Sequence, residues 1–169
     1  KINLDELSNA VDGNTILVSV MAVNNEVGSI QDISKIKGII KDCKSKAYFH
    51  CDAVQGFGKL TIKPKKMGID LMSMSAHKIH GLKGAGALYI SNSVRILPYV
   101  VGGGQENGMV SGTESTPMVC AFSEAVNDIG NIGKNLQDVL NLRNYFVEKI
   151  QNIDKVYINS PDDALPYII

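Results

Sequence analysis

The sequence has no excess of either charge. Lysine plus arginine and aspartate plus glutamate stand at 17 each in 169 residues, so no global field draws the chain to nucleic acid or an anionic membrane. Long apolar runs are missing too. Nothing approaches the roughly 18 residues that span a bilayer, and Lys1-Ile2-Asn3-Leu4-Asp5-Glu6 has no apolar core of the signal-peptide kind. Cysteine is scarce: Cys43, Cys51 and Cys120 are too few and scattered for a disulfide framework, and no C-x-x-C or Cys/His spacing suits zinc. These absences point to a cytoplasmic protein with no metal centre, whose reduced thiols are mostly buried as small hydrophobes. No internal repeat or low-complexity linker interrupts the chain. What is present, 44% hydrophobic against 20% charged residues, suffices for one globular domain with a real core.

Helical and strand signals alternate as in an α/β domain with a largely parallel sheet. Residues 4–11 have helical spacing and stop at Asp12-Gly13-Asn14; Thr15 to Met21 is a nearly unbroken β-branched run that suits a strand buried on both faces. From Asp32, the expected N-cap, Ile33, Ile36, Ile39 and Ile40 form one stripe of an amphipathic helix. Ala47–Asp52 and Ile69–Ser75 are the next strands, and Gly84–Ser91 is a strand returning from the glycines. Residues 95–101 form a further extended piece. Thr116 with Pro117 starts a helix striped by Met118, Val119, Phe122 and Val126, and a longer helix covers about 134–153. The last segment predicts two strands joined by a turn, and the chain stops on Tyr167-Ile168-Ile169 as one cut short would.

Three of these strands end in polar loops, and open α/β sheets hold ligands at the carboxyl ends of parallel strands. Asn25, Asp52, Gln55 and Lys78 are candidates to meet on that rim. Taken singly, a strand-end aspartate makes turns and a lysine sits in solvent. As an ordered set they suit pyridoxal phosphate: a desolvated lysine condenses with an aldehyde, and a carboxylate on the neighbouring strand pairs with a protonated pyridine nitrogen. Gln55 or Asn25 donates to the phenolate oxygen, and Ser75 and His77 bind phosphate oxygens.

The chain resembles the cysteine desulfurases, pyridoxal-phosphate enzymes of the class V aminotransferase family. The blocks that carry this are 20–28 with Gln31, Asp52-Ala53-Val54-Gln55-Gly56 with Gly58-Lys59, Ser75-Ala76-His77-Lys78 with Gly81 and Lys83-Gly84, and Gly102-Gly103-Gly104-Gln105-Glu106 with Ser111-Gly112-Thr113. The resemblance implies a type I, aspartate-aminotransferase-like sheet, incomplete at residues 1–130, with a linking helix and the opening of a smaller C-terminal α/β domain at 131–169. It makes Lys78 and His77 the catalytic pair and Asn25, Asp52, Gln55, Ser75, His77 and Lys78 the cofactor contacts. Thr113 reaches the phosphate of the partner subunit in a homodimer.

The reaction it implies takes sulfur from L-cysteine, leaves L-alanine, and passes sulfur through an enzyme cysteine to an acceptor or scaffold protein for iron-sulfur or thio-cofactor synthesis. That cysteine and the arginine for the substrate carboxylate are expected beyond Ile169, and none of the three cysteines here matches the first. The chain therefore reads as a central fragment, inactive alone. It departs from the family at Asn107 and Val110, where arginines are usual, which removes charge and donors from the dimer and phosphate region. The cofactor motif does not choose the reaction. A selenocysteine lyase, a cysteine lyase, an aminotransferase and a non-catalytic truncated homologue all stay open.

Overall fold

A computed structural model describes residues 1–169. Four strands, β1 (Leu17–Met21), β2 (Tyr48–Asp52), β3 (Leu71–Ser75) and β4 (Gly86–Ile90), form one sheet in the order β1-β2-β3-β4. The first three are parallel and β4 runs antiparallel to β3. Around them lie α1 (Leu4–Ala10), α2 (Ile33–Asp42), the one-turn α3 (Pro64–Met67), α4 (Thr116–Asn127) and α5 (Ile132–Ile150).

Alternation along each strand separates the two faces of the sheet. Val18, Phe49, Cys51 and Met72 point to one face, where Ile33, Ile36 and Ile40 of α2 bury them in the core. Ser19, His50, Asp52, Ser73 and Ser75 occupy the other, which is polar and only partly covered. This corrects the expectation that the first strand is buried on both faces. Leu17, on the same face as Ser19, is 47% exposed.

One ion pair fixes the start of β3. Lys37 of α2 binds the Asp70 carboxylate, which also accepts the Phe49 backbone N–H at 2.8 Å. Gly68 makes room for this: its φ is +67°, and a Cβ there would stand 2.7 Å from Lys37 Cγ.

Several expected details differ. Asp32 sits at the N-cap of α2, yet its carboxylate bonds to Ser34 Oγ and pairs with Lys35 rather than capping the backbone. Ser115, not Thr116, is the N-cap of α4, with Thr116 and Pro117 inside its first turn. Of the α4 stripe, Val119 and Val126 are exposed, and the buried residue is Ala125. The α5 helix starts earlier than its spacing suggests, because Asn131 Oδ1 accepts the Lys134 N–H at 3.0 Å. Residues 95–101 form no strand, only a bridge of Val100 to Val110. The two expected C-terminal strands are absent as well. Instead Leu165 enters the core and its N–H donates to Gly28 O at 2.8 Å. Gly28, at φ +69°, permits this approach, since a Cβ there would meet Ile168 Cβ at 3.0 Å.

Candidate active site

The carboxyl ends of β1, β2 and β3 lie side by side, and each feeds a loop that is built locally. After β1, Asn24 Oδ1 accepts the N–H groups of Glu26 and Val27, both at 2.9 Å, closing a turn that leaves Asn25 exposed at its tip. After β2, Asp52 Oδ1 accepts the Val54 N–H at 3.0 Å, while Gly56 and Phe57 donate to Ala53 O. The chain thereby turns sharply and brings Gln55 back over the strand end. Gln55 is 8% exposed, and its side-chain amide bonds to nothing else in the chain. An amide so nearly enclosed, with N and O still open to solvent, is a donor and acceptor prepared for a ligand.

After β3, residues Ala76–Ile79 form a single 3-10 turn, closed by His80 at φ +70° and by Gly81 N–H donating to Ala76 O at 2.9 Å. Ala76 and Ile79 are buried and anchor the turn, so His77 and Lys78 face outward. Ser75 Oγ lies 2.6 Å from His77 Nδ1 and sets that ring. Asn25, Asp52, Gln55, Ser75, His77 and Lys78 are thus placed at the ends of three adjacent strands. Thr113 is not among them. It stands in the exposed loop before α4, where the nearest ordering contact is Gly112 N–H to Gln105 Oε1 at 3.2 Å.

One residue without a role in the sequence reading belongs with these. Lys59 lines a small cleft of about 80 Å³ together with Lys78, His80, Asp128 and Tyr167, and its ammonium sits 5.4 Å from the Tyr167 ring centre. Burial, and then the charge of Lys78, hold Lys59 below the usual lysine range. Its only sequence signal is the Gly58-Lys59 pair following Gln55-Gly56. A wider cleft of about 520 Å³ lies at the opposite rim, lined by Lys37, Lys41, Lys65, Asp70 and Tyr89, away from all of these groups.

The thiols divide by setting. Cys51 is fully buried on the core face, and burial, with the Asp52 charge behind it, pushes its pKa up to about 12. Cys43 lies beside Ser8, with the sulfur 3.3 Å from Ser8 O. Cys120 is exposed on α4, against the expectation of buried thiols, because its face of the helix meets nothing.

An open, mostly parallel sheet with a lysine turn after one strand and a carboxylate at the end of its neighbour is an α/β architecture of the kind that commonly holds ligands at its carboxyl rim. The aminotransferase class-V family model matches residues 1–169, and the chain belongs to that family. A cysteine desulfurase IscS of Rickettsia bellii is 46% identical over 167 residues, covering 96% of this chain and 40% of the relative. Among solved structures, a NifS-like protein superposes with a TM-score of 0.92 at 38% identity, over 98% of this chain and 46% of that one. The structure described as SspA in complex with cysteine gives 0.82 at 35%, over 98% of this chain and 46% of that one. The chain therefore spans about 40% of the length of the curated relative it matches, and its sheet has the fold of the NifS-like enzymes.

Proposed function

We propose that this chain supplies the cofactor-holding sheet of a pyridoxal-phosphate-dependent cysteine desulfurase. What supports the reading is the position of Lys78, Asp52, Gln55 and the Ser75–His77 pair at or just after the carboxyl ends of two adjacent strands, in a chain whose relatives include a cysteine desulfurase IscS. The donor set fits the cofactor chemically. Asp52 has one carboxylate oxygen engaged by Val54 N–H and the other free for a protonated ring nitrogen. The unpartnered Gln55 amide and Asn25 suit the phenolate side, and the Ser75 hydroxyl with the His77 ring suits phosphate oxygens.

When bound, pyridoxal phosphate supplies an electron sink next to the substrate α-carbon. The residues of the chain bind, orient and move protons. Lys78 Nζ would hold the cofactor through its aldehyde and would carry a proton at that nitrogen when free. Asp52, with its second carboxylate oxygen free, would favour a protonated ring nitrogen by accepting its N–H. His77 holds the phosphate side in place while Ser75 holds His77.

The substrate is L-cysteine and the products are L-alanine and sulfur held as a persulfide. None of the three cysteines here is poised to take that sulfur, since Cys51 is buried and held protonated and Cys43 is tucked against Ser8; Cys120 lies on α4, beyond the rim. The acceptor thiol is assigned to the rest of the protein. Thr113, free in its loop, is assigned to the phosphate of a second copy, which makes the working enzyme a homodimer. A sulfur-accepting or scaffold partner completes it, in service of iron-sulfur assembly. Three free thiols favour a reducing compartment, the cytoplasm. We draw the domain boundary near Gly130, which turns the chain at φ +64° into α5.

The full-length protein titrated with pyridoxal phosphate gains a visible absorption band, and with L-cysteine and a thiol reductant it releases alanine and sulfide in equal amounts. Lys78→Ala removes both. A band that persists in that variant takes Lys78 out of the site, and alanine without sulfide turns the assignment to another class V reaction.

A further inference from the structure

The polar face of the sheet carries a contact that the proposed site does not use. His50 lies mid-strand in β2, in register with Ser19 of β1 and one pleat before Asp52, which is in register with Ser73 of β3. Its ring bridges both neighbours: Ser19 Oγ is 2.7 Å from Nδ1, and Ser73 Oγ is 3.0 Å from Nε2. Hydroxyls rotate to donate or accept, so either neutral tautomer satisfies the bridge. One side chain thus ties three strands.

The tie to β3 is diagonal. It runs from His50 to the residue opposite Asp52, and Asp52 is the last residue of β2 paired with β3. Strand ends are where local opening is easiest, and cross-strand side-chain pairs add to what holds them. Backbone pairing with β3 continues one residue on, where Ala53 N–H donates to Ser73 O at 3.0 Å, but the Asp52 side chain itself is tied only forward, its Oδ1 accepting the Val54 N–H.

We propose that His50 is a positioning residue for Asp52, clamping the end of β2 to β3 through Ser73 so that the carboxylate keeps one orientation toward the ring nitrogen of the cofactor. The inference rests on the cofactor reading above. It deepens that reading by giving β3 two matching duties: Ser73 holds the imidazole behind the carboxylate, and Ser75, two residues on and on the same face, holds the imidazole of His77. Groups that act on a cofactor must be held to within about 0.5 Å, and a clamp one pleat away supplies that.

The test uses the full-length protein, titrated with pyridoxal phosphate, with affinity and the visible circular dichroism of the bound ring as readouts. His50→Met, of similar size but without the hydrogen bonds, is expected to weaken binding about tenfold, the worth of one or two hydrogen bonds, and to lose more than half of the dichroic band. Ser73→Ala reproduces that loss, and combined with His50→Met adds nothing further. His50→Gln places its amide where Nε2 stood and restores both readouts to within about twofold of wild type. Wild-type behaviour in His50→Met or Ser73→Ala overturns the proposal, as does failure of His50→Gln to rescue. A wild-type protein that gains no visible band overturns the cofactor reading itself, a separate result.

Discussion

At the scale of single residues, Asp52 and Cys51 are neighbours with opposite fates, because alternation along β2 sends one to the polar face and the other to the core. Asp52→Asn keeps the shape and removes the charge; on the proposed function, desulfurase turnover of the full-length protein is expected to fall about 10²–10³-fold, the usual loss when one electrostatic partner is removed. Cys51 carries a pH signature instead. Its thiol is raised by burial and then by Asp52 to about 12 from an ordinary 9.0. The stabilisation is fully present below about 9, where both folded and unfolded thiols are neutral. Above that the unfolded thiol ionises first, so stability falls as pH climbs toward about 12. Urea midpoints measured from pH 8 upward should show this decline, and Cys51→Ala should flatten it. Lys78, Asp52 and Gln55 were legible as candidates because ligand chemistry demands those residue types at strand ends. Lys59 was not, since its meaning lies in standing beside Lys78 and Tyr167, which are distant in sequence.

At the scale of elements, α2 and β3 are coupled by Lys37 and Asp70, whose carboxylate also satisfies the Phe49 N–H of β2. Asp70→Ala leaves a partly buried ammonium unpaired and a buried N–H unmet, a loss of about 3 kcal/mol by analogy with broken buried pairs. A shift of the denaturant midpoint in the full-length protein measures it, and a loss below about 1 kcal/mol would show that water replaces the carboxylate. The strands β1 to β3 and the helix α2 could be read from apolar periodicity, which local sequence records directly. Caps were less legible: Asp32 has the right residue type at the right place, but Ser34 and Lys35 compete for its oxygens. The C-terminal segment misled for another reason. Its apolar spacing fits a strand, yet strands need an open edge to pair with, and Leu165 found the core instead.

At the scale of the whole molecule, large apolar side chains are exposed in the irregular segment after β4 and on α5. Leu97 is 91% and Tyr99 97% exposed, and Val101, Leu142 and Tyr145 are exposed with them. Exposed apolar side chains of this size favour packing against further protein surface. The isolated chain at tens of micromolar is therefore expected to sediment as more than a monomer; a single species of 18.2 kDa would show that these residues stay apart. By itself the sequence determined the order of β1 to β4 with α1, α2, α4 and α5, the polar loops after three strands, and the residue types able to hold a pyridine ring and a phosphate, because periodicity, turn chemistry and donor inventory are local properties. Tertiary structure alone decided which sheet face is core, that Gln55 is enclosed without a partner, that His50 spans Ser19 and Ser73, and that Lys59 shares a cleft with Lys78. Each of those depends on strand register and loop closure between residues far apart in the chain, which no stretch of sequence contains.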